Sequence, residues 1–64
     1  MSFEFLVVCL RDRAITARCR EDYWALADMA HGAYLALDGA LTPEQRAFLS
    51  EASDLAEKLA EETQ

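Results

Sequence analysis

Sixty-four residues, 53% of them hydrophobic, carry six basic and twelve acidic side chains for a net charge of −6. A chain of this length is one domain that buries only about 60% of its unfolded surface, so it has little room for a deep substrate cleft, yet it is too apolar for intrinsic disorder. The negative balance repels phosphate backbones and anionic lipid, which argues against nucleic acid or a membrane as direct partner and steers the protein toward basic surfaces.

The charge is sorted along the chain. In residues 1–20, Arg11, Arg13, Arg18 and Arg20 against Glu4 and Asp12 leave +2, whereas Arg46 and Lys58 against the ten remaining acids leave −8. Residues 3–10 form an apolar run rich in aromatic and β-branched side chains that reads as a strand, too short for a signal peptide or a membrane span. After the polar break at Arg11, Asp12 and Arg13, the chain alternates, with Ile15, Ala17 and Cys19 on one face and Thr16, Arg18 and Arg20 on the other. The spacing predicts a β-hairpin over about residues 3–19, although its turn lacks an Asn-Gly or Asp-Gly signal and leaves the register open. A competing reading starts one long helix at Asp12 and runs it to Leu37 on a face of Ile15, Cys19, Tyr23, Leu26, Ala30 and Ala33. That version strands the first segment without a partner. Cys9 and Cys19 read as small buried hydrophobes, with a bridge across the hairpin as the alternative.

A helix is predicted over about residues 21–37, where Leu26, Ala30, Ala33 and Leu37 recur at helical spacing. Gly39 would end it in the left-handed conformation, and Gly32 in its middle points to close approach of another backbone. Thr42, Pro43, Glu44 and Gln45 supply an N-cap, a first-turn proline, a dipole-matched acid and a capping box for a second helix over about residues 43–62. Its apolar stripe is Phe48, Ala52, Leu55 and Leu59, with Leu49 and Ala56 beside it. The fold class expected is therefore α+β, a single domain over 1–64 with an N-terminal β-hairpin followed by two antiparallel α-helices.

The candidate partner-binding residues form two groups. Glu51, Asp54, Glu57 and Glu61 share the side of the second helix away from its apolar stripe, a row of carboxylates able to occupy a groove of Lys and Arg that normally holds phosphates. A merely solvated face is the plainer alternative. On the first helix Trp24, Asp28, His31 and Leu35 lie opposite the core stripe, with Glu21 and Asp22 nearby; they are either sandwiched between the hairpin and the second helix or form a protein interface, in a homodimer or on a target. The arginines offer a weaker phosphate-binding patch without aromatics to stack a base. His31 is the one histidine, and with Cys9 and Cys19 it lacks metal-finger spacing. Catalytic residues, a metal and a cofactor are not expected, and neither is enzymatic activity.

Small size, acidity, the carboxylates Asp54, Glu57 and Glu61, and the absence of motifs make the whole chain resemble the small phage-encoded anti-CRISPR inhibitors. The resemblance implies a cytoplasmic inhibitor, active in the bacterial host, that docks on a CRISPR effector subunit, a basic nucleic-acid-binding protein, and blocks target DNA or its PAM. It predicts no particular fold, and the arginine-rich first third departs from a uniformly acidic mimic. The expected function is stoichiometric protein binding by a protein more readily a monomer than a homodimer. The alternative is a structural adaptor or homodimerising module built on the face of Trp24 and Leu35.

Overall fold

The computed structural model describes residues 2–63. They form three helices, α1 (Phe3–Thr16), α2 (Arg20–Ala36) and α3 (Pro43–Glu62), with one 3₁₀ turn at Asp38–Ala40 and no strand among the described residues. The α+β class and its N-terminal hairpin are thereby overturned: the protein is all-α.

The first segment is helical because both its ends and its seam favour a helix. Ser2 caps it, its hydroxyl accepting the Phe5 N–H at 3.2 Å. Glu4 in the first turn and Arg13 in the last match the helix dipole. At the far end the Arg18 guanidinium donates to the carbonyls of Ile15 and Ala17 at 3.1 and 3.0 Å. Leu6 and Leu10, one helical turn apart, are buried with Phe3 half-buried beside them. The β-branched Val8 and Ile15, which made the segment look like a strand, lie outside that seam and are exposed. A helix satisfies its own backbone, whereas a strand here would need a partner the chain does not supply.

The apparent alternation of Ile15, Ala17 and Cys19 straddles a helix end, with Ala17 buried and the other two exposed. The single long helix also fails, since the chain leaves the helical conformation at Ala17 and re-enters it at Arg20. Asp22 holds this corner: its carboxylate accepts the N–H groups of Arg18 at 2.9 Å and Cys19 at 3.3 Å. Both cysteines are free, Cys9 half-buried and Cys19 exposed, so neither is the fully buried hydrophobe expected and no bridge joins them.

The two later helices match their predicted spans to within a residue. The capping box is formed as expected, with the Thr42 hydroxyl accepting the Gln45 N–H at 3.1 Å and the Gln45 side chain accepting the Thr42 N–H at 3.0 Å. Neither glycine plays its expected part. No glycine has positive φ, and α2 instead closes through the 3₁₀ turn, where the Leu37 and Ala40 N–H groups donate to the carbonyls of Ala33 and Leu37. A side chain at Gly32 would meet nothing within 4 Å, so no backbone approaches it. Arg46 of α3 reaches back to Asp38 at 3.6 Å, the one ion pair among the described residues.

α2 and α3 pack antiparallel through small residues. Ala27 and Ala30 of α2 meet a face of α3 made by Leu49, Ser53, Ala56 and Ala60, all buried. Ser53 Oγ donates across the interface to the Ala27 carbonyl at 3.5 Å, the outer limit for such a bond. At 100° per residue this buried face is turned by roughly 110° from the stripe of Phe48, Leu55 and Leu59. Those three large side chains are left beside the core rather than in it, and all three are exposed. α1 lays Leu6 and Leu10 over Leu26, Ala30 and Leu41.

Candidate functional site: two faces of the helical hairpin

The α2/α3 hairpin has a side covered by α1 and a side left open. The open side brings together most of the sequence-predicted binding residues. Trp24, Asp28, His31 and Leu35 share one exposed face of α2, and Asp54, Glu57 and Glu61 share the neighbouring exposed face of α3. His31 and Asp54 meet in a shallow depression of about 230 Å³ floored by Tyr34, Leu49 and Ser53. The Trp24 face is thus not sandwiched, because the first segment covers the opposite side. The two groups recognised separately in the sequence adjoin at His31 and Asp54, with exposed Trp24 and Leu35 on α2 and exposed Glu57 and Glu61 on α3 to either side.

The remaining predicted residues are placed elsewhere. Glu51 lies about 60° around α3 from Asp54 and faces the side that carries α1. Glu21 is exposed near the start of α2. Asp22 is committed to the α1–α2 corner, and the Arg18 N–H, followed by the Cys19 thiol and N–H, holds its carboxyl below the ordinary aspartate value. The arginines do not assemble a patch: Arg18 caps its own helix through backbone carbonyls, and among the described residues Arg11, Arg13 and Arg20 form no ion pair.

The side covered by α1 holds a feature that the sequence reading missed. Between α1 and α3 runs an open apolar groove of about 420 Å³, with Val7, Leu10 and Ala14 on one wall, Phe48, Leu55 and Leu59 on the other and Leu26 beneath. Phe3 meets Phe48 edge to face at one end, with ring centroids 5.8 Å apart. Arg11 and Glu51 stand on opposite walls. The signal was present: once the first segment is helical, apolar residues fall all around it, and a helix of that kind has more than one face to bury.

Among the described residues no group of three or more His, Cys, Asp or Glu is placed to hold a metal ion, and no helix is long and apolar enough to cross a membrane. No family model, curated protein or solved structure matches the chain.

Proposed function

We propose that the protein acts by stoichiometric occupancy of a basic surface on a nucleic-acid-binding protein, docking through the open face of the α2/α3 hairpin. The observation that carries this reading is the convergence of Asp54, Glu57 and Glu61 with Trp24 and Leu35 on one side of the molecule, every one of them exposed. Carboxylates at helical spacing match lysines and arginines that otherwise hold phosphates, while an adjacent Trp supplies the desolvated anchor that gives such contacts residence time. Lys58 is the only cation in α3 beyond Arg46, and Arg46 is already paired with Asp38, so little internal charge competes with a basic partner. The resemblance to anti-CRISPR inhibitors makes the DNA-binding cleft of a CRISPR effector, in the bacterial cytoplasm, the target class to examine first.

The test is displacement of a fluorescent PAM-containing duplex from a panel of guide-loaded effectors. The expected result is displacement that weakens steeply with salt, is abolished by Asp54→Lys, Glu57→Lys and Glu61→Lys together, and falls at least tenfold with Trp24→Ala. Displacement unchanged by the triple reversal would refute the acidic face as the docking surface. No displacement from any effector would remove that target class.

A further inference from the structure

We propose that the groove between α1 and α3 is covered by a second copy of this chain, the two α1 helices crossing antiparallel about a two-fold axis between Val7 and Val8. This interface is separate from the acidic face and does not depend on it. Three of the eight exposed large apolar side chains, Phe48, Leu55 and Leu59, line this groove, and two more, Val8 and Ile15, lie on the outer face of α1 next to it, with Val8, Ile15 and Leu55 about 60% exposed. An interface of standard size needs about 800 Å² per partner, under a fifth of the 4521 Å² surface.

The charge pattern of α1 selects the occupant. Val7 with Ala14, Glu4 with Arg11, and Val8 with Ile15 are three pairs seven residues apart, so they form adjacent rows on one helix face with the charged row in the middle. Glu4 and Arg11 are about 10 Å apart along the axis and cannot pair within a copy. Laid antiparallel on itself, the same row places Glu4 of one copy against Arg11 of the other, twice, with Val7 and Val8 at the centre. This reciprocity is what a two-fold interface requires. The Val7 and Ala14 row, which lines the groove, then meets the partner's Phe48, Leu55 and Leu59, while Val8 packs against its own symmetry mate on the other side of the charged row.

The test is sedimentation equilibrium on the full chain across a concentration series, with far-UV circular dichroism to verify that each variant stays helical. The expected mass is twice 7.2 kDa, tending to the monomer on dilution. Arg11→Glu sets like charges against each other at two symmetric places and is expected to weaken the dimer about thirtyfold. Adding Glu4→Arg restores the pairing with the signs exchanged and is expected to bring the dissociation constant back to within about threefold of the starting value. Leu55→Glu, on the other wall, is expected to abolish the dimer. A monomer at millimolar concentration would overturn the proposal, leaving the groove to some other occupant. So would a dimer indifferent to these variants, or one lost on Trp24→Ala or Asp54→Lys instead.

Discussion

Leu49→Ala tests which face of α3 is inside. Leu49 is the largest side chain with no exposure, enclosed where α3 packs on Ala27 and Ala30. Truncating a buried leucine costs about 2.7–5 kcal/mol, and the value within that range depends on how far the surroundings collapse. Ala27, Ala30 and Ala56 in the same cluster have no rotamers with which to refill the space, although Tyr34 beside it can move in part, so a loss in the middle of that range, about 3–4 kcal/mol, is expected. A 64-residue domain has roughly 3–10 kcal/mol in total, so the variant should sit near its unfolding midpoint at 25 °C or lose most of its margin. In urea titrations followed by far-UV circular dichroism in dilute solution, with an m value of about 1 kcal/mol/M, the midpoint should fall by about 3 M. Leu55→Ala, at 59% exposure, should cost less than about 1 kcal/mol under the same conditions. The sequence stripe of Phe48, Leu55 and Leu59 makes the reverse ranking, so a large loss at Leu55 with a small one at Leu49 would refute the rotation of α3 described above.

Three further perturbations address the helices and their ends. Gly32→Ala should raise stability by about 0.5–1 kcal/mol, since the site is helical, open and free of strain; a thermal midpoint several degrees higher would verify it. Thr42→Ala removes half of the capping box and should cost about 1 kcal/mol in chemical denaturation, with Thr42→Ser close to the parent. Asp22 has its carboxyl pKa lowered by the Arg18 N–H and its neighbours, so its contribution is present above the ordinary aspartate range and is lost as pH falls through the depressed folded value. Thermal midpoints measured from about pH 5 down to pH 2 should therefore fall less steeply in Asp22→Asn than in the parent.

What was legible in the sequence follows the strength of local signals. α2 and α3 carry caps, a first-turn proline and long periodic stretches, and their spans are right to a residue. α1 was misread because Val7, Val8 and Ile15 favour strands by type, while the deciding facts, the Ser2 cap and the Leu6/Leu10 seam, each rest on one or two residues. The rotation of α3 was misread for a different reason. A helical wheel weights positions by side-chain size and so chose Phe48 and Leu55, whereas close antiparallel packing on Ala27 and Ala30 selects small residues and buries Ser53, Ala56 and Ala60. Of the binding residues, the α2 and α3 groups were legible one helix at a time. Their union into one face follows only once the first segment is placed on the opposite side.

The two proposed interfaces should respond to salt with opposite sign, which separates them without any variant. Docking of Asp54, Glu57 and Glu61 on a basic partner is an attraction between unlike surfaces, so raising ionic strength from about 50 to 300 mM shortens its range and weakens binding. Dimerisation brings together two chains each of net charge −6. The two Glu4/Arg11 pairs, set between apolar rows, are lost to screening only in part, while the overall repulsion between the copies falls throughout the same range, and burial of Val7, Val8 and Leu55 is insensitive to it. The dimer dissociation constant should therefore hold or fall as salt rises, while the constant for the basic partner climbs. A dimer that dissolves over this range would mean that the ion pairs, not the groove, hold the copies together, and the apolar walls of α1 and α3 would then need another account.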